Sequence, residues 1–270
     1  PLLIQGDRLI WRPALSTMVI NQRPSALNRN SKLVSNSLTF QQDSGQLLFT
    51  GPTKLSRWEK NYSSTIDPQT LITAGHGKWN LNSGMIAAVG PIIANQSNGR
   101  QLTAVSMQGN TTKNYLDLKA PVQFKLEDEK AVVDAGETRW DFEQNQLSSK
   151  APVSASLSKG EVHGVGFIID IPRNTLTISN SCKVAQPDKN LTANRCSWNW
   201  KNDLLTAAGR VNLKESGSDQ VQRADQMQGE FNPDGSIRFS PSQNRVKTQI
   251  KLESGKNKDT NQKRPSRVQF

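Results

Sequence analysis

The chain has 270 residues, and 34 lysines and arginines stand against 23 aspartates and glutamates, a formal net charge of +11. Apolar residues make up 34% of it, below the ~45–50% of ordinary globular chains counted with glycine, so a thick two-layer core is disfavoured and a thin, extended one is left. No segment approaches the ~18 apolar residues that span a bilayer, and no signal peptide is visible at Pro1, so the chain reads as a mature product or a cloned fragment from which an upstream anchor or signal has been removed.

From residue 33 the sequence repeats. Each unit opens on an apolar residue, has a small residue at +2, a small or apolar one at +5 and usually a large one at +7. The first unit carries Leu33, Ser35, Leu38 and Phe40; the second, Ile72, Ala74, Gly77 and Trp79; the third, Leu102, Ala104, Met107 and Gly109. Val133, Ala135, Thr138 and Trp140 make the fourth, and Val162, Gly164, Phe167 and Ile169 a weaker fifth. Leu191, Ala193, Cys196 and Trp198 make the sixth, and Gln222, Ala224, Met227 and Gly229 the seventh. The starts are 39, 30, 31, 29, 29 and 31 residues apart, and the long first interval fits an insertion near 57–68.

Each unit then turns and returns. Gln42-Asp43-Ser44-Gly45, Glu143-Gln144-Asn145, Pro172-Arg173-Asn174 and Asn232-Pro233-Asp234-Gly235 are hairpin signals. The return halves alternate strictly, as in Leu47-x-Phe49-x-Gly51-x-Thr53-x-Leu55, Leu116-x-Leu118-x-Ala120-x-Val122-x-Phe124 and Leu205-x-Ala207-x-Gly209-x-Val211-x-Leu213. Such alternation marks a strand with one buried face. In the outgoing halves parity changes between +2 and +5, which a β-bulge or corner accommodates. Every ~30-residue unit is therefore a hairpin bent at one level, in keeping with repeat architecture. The fold class expected is all-β: an elongated jellyroll of stacked, bent antiparallel hairpins with an apolar interior trough and no substantial helix. Small inward residues favour room between the layers; the alternative is a sandwich with a filled core.

Cys182 and Cys196 both fall on inward positions, and antiparallel pairing about residue 189 sets them opposite each other. A disulfide between them is expected, with two buried thiols as the alternative; bonded, they imply an oxidising compartment. Two histidines and two cysteines lack zinc spacing, and neither a Ser nucleophile elbow nor a phosphate-binding loop occurs. The lone Gly164-Val165-Gly166 runs on into a strand, Phe167-Ile168-Ile169, rather than opening a helix. No catalytic set, metal or cofactor is expected. A polysaccharide-acting enzyme needs paired carboxylates, and Asp141, Glu143 and Asp170 near turns form no suggestive pair. A structural or adhesive β-repeat is a further alternative.

The repeated L-x-A-x-x-A-x-(aromatic), turn, L-x-L-x-G-x-V-x-V pattern, over about 33–250, resembles the OstA-like β-jellyroll superfamily of lipopolysaccharide transport. Within it the chain looks most like the LptC group and next like the LptA group, although it is longer than is usual for either. The resemblance implies a periplasmic, non-catalytic scaffold that accepts lipopolysaccharide from an inner-membrane LptBFG-type ABC transporter. It would pass the lipid to an LptA-like periplasmic protein by edge-to-edge strand addition, anchored by an N-terminal helix absent from this chain. Homo-oligomers stay open. Acyl chains would ride in the interior, against the inward side chains of Phe40, Phe49, Trp79, Met107, Leu116, Leu118, Val122, Phe124, Trp140, Phe167, Ile169, Ile178, Trp198, Val211, Leu213, Met227 and Phe239.

Three regions are expected: an N-terminal strand or edge segment at 1–30, the jellyroll of about seven repeats at 31–251, and a disordered basic tail at 252–270. Aromatic residues follow the inward pattern rather than interleaving with exposed cations, which argues against nucleic-acid binding.

Overall fold

A computed structural model describes residues 3–97, 99–126, 131–215, 221–230, 236–240 and 246–249. The turn expected at 232–235 and the tail expected at 252–270 lie outside the described residues. The described residues form an antiparallel sheet of 25 strands. Among the described residues a single 3-10 turn occurs, at Pro13–Leu15, and no helix is long and apolar enough to cross a membrane.

The strands group into eight hairpins, one more than the repeat count. In the first, β1 (Leu3–Gln5) and β2 (Arg8–Arg12) run out, and β3 (Thr17–Asn21) and β4 (Ser25–Asn28) return. The second has β5 (Ser31–Val34), β6 (Ser37–Gln41), β7 (Gln46–Thr50) and β8 (Thr53–Arg57); the third, β9 (Thr70–Ala74), β10 (His76–Asn80) and β11 (Met85–Gln96). The fourth has β12 (Gln101–Asn110), β13 (Tyr115–Lys119) and β14 (Val122–Lys125); the fifth, β15 (Ala131–Ala135), β16 (Thr138–Asp141) and β17 (Gln146–Leu157). The sixth is β18 (Gly160–Asp170) with β19 (Thr175–Ala185). The seventh has β20 (Lys189–Ala193), β21 (Arg195–Asn199) and β22 (Leu204–Glu215), and the eighth β23 (Val221–Glu230), β24 (Ile237–Ser240) and β25 (Lys247–Gln249).

All hairpins bend at one level, which divides the sheet into two facing arms. The proximal arm holds the start of each hairpin and the connections between hairpins; the distal arm holds the hairpin turns. Long strands pass through the corner and pair in both arms. Thus β11 pairs with β9 in the proximal arm and with β10 in the distal one, and β19 pairs likewise with β20 and β21. On outgoing strands the corner is the parity change read from the sequence. On return strands two extra residues sit there, so parity survives and the alternation conceals the bend. Gly51-Pro52, Gly90-Pro91, Ala120-Pro121 and Gly209-Arg210 are these corners. Ala120, expected inward, is exposed as a result. Gly51 has φ +82°, and a Cβ there would stand 2.6 Å from the Asn36 side-chain nitrogen, so the corner needs glycine.

The distal turns are built alike. The residue at +8 is Asn80, Asn110, Asp141, Asp170 or Asn199, and its Oδ1 accepts from backbone N–H groups within the turn. The turn closes on a left-handed residue: Gly45, Gly84, Asn114, Asn145, Asn174 or Asp203, the residue types that tolerate positive φ. Successive turns stack through backbone hydrogen bonds, including Leu81 N–H to Gly45 O (2.9 Å), Phe142 N–H to Asn114 O (2.8 Å) and Trp200 N–H to Asn174 O (3.1 Å). Each turn therefore satisfies the next one's donor, which extends the ladder to the rim of the arm.

Cys182 and Cys196 are bonded, with Cα atoms 5.9 Å apart. They do not face each other in one ladder, as pairing about residue 189 required. Cys182 is paired with Ala193 in the proximal arm and Cys196 with Ile178 in the distal arm. The bond crosses the corner and ties the arms together, closing a short loop worth roughly 3 kcal/mol on chain-entropy grounds.

Candidate functional site

The inward faces of both arms form one apolar cluster that runs from Ile20 to Met227. Of the residues named from the pattern, Phe49, Trp79, Met107, Leu116, Leu118, Trp140, Phe167, Ile169, Ile178, Trp198 and Met227 stand buried on the distal arm. Val122, Phe124, Val211 and Leu213 stand buried on the proximal arm. Phe40 and Phe239 are half-buried against the cluster near its two ends. The structure thus brings these side chains together along one interior.

Among the described residues that interior is closely packed, its inward side chains almost all under 10% exposed. The cavity beside Trp79, Ile86 and Leu116 has about 20 Å³, room for about one water. Small inward residues do not leave a channel. Ala74, Ala88, Ala104, Ala193 and Ala207 sit next to the corner, where the arms converge, and there a small side chain lets the two backbones approach.

Among the described residues the arms share backbone pairing only through the corner strands; at their free rims they meet through side chains. Arg57, at the proximal rim, donates from Nη2 to Asn114 Oδ1 (3.0 Å) and lies over the Phe142 ring, 4.4 Å from its centroid. Lys159 meets Asp203 at 3.4 Å. The +9 residues Leu81, Phe142, Ile171 and Trp200 fold from the distal turns into this seam, with Trp140–Phe142 ring centroids 4.5 Å apart and Trp198–Trp200 6.2 Å apart. The insertion after Arg57 covers the second hairpin's end of the seam: Trp58 is buried, donates to Ile66 O (2.7 Å) and meets Tyr62 edge-on. Burial pulls the Arg57 guanidinium below its ordinary pKa. The seam residues were not singled out from the sequence, although the position two beyond the repeat's +7 carries a large apolar side chain in four units.

Outward-facing charges neutralise one another locally. Arg139 forks onto Asp117 (2.7 and 2.8 Å) over the Tyr115 ring, and Lys119 meets Glu137 at 2.8 Å. The hydrogen bond from Arg139 to Asp117 raises the Arg139 pKa. Among the described residues no three His, Cys, Asp or Glu side chains gather as a metal site.

The first hairpin leaves the stack open. The outer edges of β1 and β2 have no partner strand among the described residues, since each is paired on one side only. Leu9 and Trp11 lie opposite Ile20 and Met18 and so face inward, yet they are 55% and 57% exposed because no rung stacks on them. Ile4, Gly6, Leu9 and Trp11 follow the repeat's own spacing and make an eighth unit, starting 29 residues before Leu33.

No family model matches the sequence, and no curated protein matches it. Among solved structures, the chain is similar to LptH of Pseudomonas aeruginosa, described as the LptA-homologous periplasmic component of the lipopolysaccharide transport device. The alignment covers 94% of this chain and 95% of that one, at 11% identity and a TM-score of 0.19.

Proposed function

We propose that this chain is a non-catalytic lipid-transport scaffold that takes the acyl chains of lipopolysaccharide between its arms and passes the lipid along the stack. The observation that carries the reading is the continuous apolar interior closed at its rim by side chains alone. Parting the rims breaks no β-ladder, whereas each acyl CH₂ then buried is worth ~0.8 kcal/mol. The Cys182–Cys196 bond supports an oxidising compartment such as the periplasm.

In the LptC-like form of this reading the lipid comes from an inner-membrane ABC transporter and leaves to an LptA-like protein. The bare edges of β1 and β2, with Leu9 and Trp11 beside them, support the first hairpin as a place of strand addition. The filled interior is equally what a structural β-solenoid requires, so lipid uptake separates the two readings. Titration of the full chain with a fluorescent lipopolysaccharide is expected to give saturable binding that unlabelled lipopolysaccharide displaces and a neutral polysaccharide does not. A flat titration would remove the transport reading in favour of the structural one.

A further inference from the structure

We infer that Arg57 forms an anion subsite at the seam, which takes the phosphate of a lipid headgroup while the acyl chains lie below it. The inference rests on the lipid-trough reading and adds headgroup selectivity to it.

Arg57 occupies the last inward position of its return strand, in line with Thr53 and Leu55. The equivalent positions of the fourth and fifth hairpins hold Leu126 and Leu157, both buried, and those of the third and seventh hold Gln96 and Glu215. The position thus takes apolar or polar side chains elsewhere in the stack, and a cation here. Half-burying a charge is costly unless an opposite charge repays it, and among the described residues no carboxylate pairs with Arg57. The guanidinium's contacts are one neutral amide, Asn114 Oδ1 at 3.0 Å, and the face of Phe142 at 4.4 Å. Of its five N–H donors, one is engaged among the described residues.

A second donor belongs to a residue that touches the same ring. Trp140 stacks on Phe142, and its indole Nε1 is buried without an acceptor among the described residues. Arg57 and Phe142 themselves line the small cavity, with Trp79, Ile86 and Leu116 and the hydroxyls of Ser31 and Thr111. A cationic fork, a spare N–H and a mostly apolar floor fit an amphiphile whose head is an anionic oxyacid. Guanidinium prefers the bidentate geometry that phosphate offers.

The test uses the folded full chain and three probes in one constant detergent background: bisphosphorylated lipid A, the same lipid chemically dephosphorylated, and inorganic phosphate. Wild type is expected to bind the phosphorylated lipid at least about tenfold tighter than the dephosphorylated one, a ratio of ~1.4 kcal/mol. Inorganic phosphate alone is expected not to bind. Arg57→Gln should lose most of that ratio while keeping its affinity for the dephosphorylated lipid. Asn114→Asp guards against a folding defect: it sets a carboxylate against the guanidinium at a left-handed position aspartate tolerates, so it should fold and lose the preference too.

Either variant, folded and retaining the full preference, overturns the subsite, as does a wild type that binds both lipids equally; the trough reading survives both results. Saturable binding of inorganic phosphate at Arg57 overturns a lipid-headgroup site in favour of free phosphate. Binding of neither lipid overturns the subsite and the trough together.

Discussion

Phe49→Ala is expected to cost ~3–5 kcal/mol, the usual range for emptying a buried phenylalanine, out of the ~5–15 kcal/mol that holds most domains folded. Phe49 is 1% exposed, pairs with Leu38 on one side and Gly77 on the other, and covers Gly77. A Cβ on Gly77 would stand 2.6 Å from the Phe49 ring. The ring therefore fills the space of two side chains, and no neighbour can swing in to replace it. Because each hairpin touches mainly its neighbours, the loss should be local. Hydrogen exchange should quicken in β6, β7 and β10 and stay near wild type in β18 to β22. A cost below ~1 kcal/mol in denaturant titration, or uniform loss of protection along the stack, would contradict a nearest-neighbour solenoid with a tightly filled core.

Joining the rims is expected to abolish most lipid uptake. The interior has no lipid-sized space in its closed form, so lipid must arrive through the seam. Lys159 and Asp203, 3.4 Å apart on opposite arms, mark a place to hold it shut. In the double variant Lys159→Cys, Asp203→Cys, a short bismaleimide would link the arms, and the native cysteines, already bonded to each other, would not compete. Asp203 has φ +53°, so cysteine there costs ~1 kcal/mol; the cost is equal in linked and unlinked protein and cancels. Linked protein should take up lipopolysaccharide at least about tenfold more weakly than unlinked protein, a ~1.4 kcal/mol difference. Equal uptake by both would mean that the lipid does not pass between Lys159 and Asp203.

What the sequence revealed, and what it hid, follows from parity. An outgoing strand changes parity at its corner, so Leu33, Ser35, Leu38 and Phe40 announced the bend. A return strand inserts two residues, parity is restored, and the bend at Gly51-Pro52 or Ala120-Pro121 passes as plain alternation. Inwardness was legible where an apolar residue kept the strand alternation, which is why the row from Phe49 to Met227 sits where alternation put it, whereas the seam residues Leu81, Phe142, Ile171 and Trp200 lie in the turns beyond it. Arg57 was invisible because a pattern of apolar residues cannot count a cation among them. The first hairpin was expected as an N-terminal strand or edge segment and not counted as a repeat, although Ile4, Gly6, Leu9 and Trp11 carry the spacing. The cysteines were placed inward correctly, but their bond crosses the corner, a relation that ladder arithmetic does not contain.

The most direct measurement is site-specific photo-crosslinking to lipopolysaccharide from two adjacent positions. Leu118 is 1% exposed and inward; Asp117 points outward onto Arg139. With the photoreactive group placed at one or the other in otherwise identical protein, adducts at 118 and none at 117 are the expected result. Equal labelling at both, or none at either, would contradict the account and leave the inward residues as a structural core.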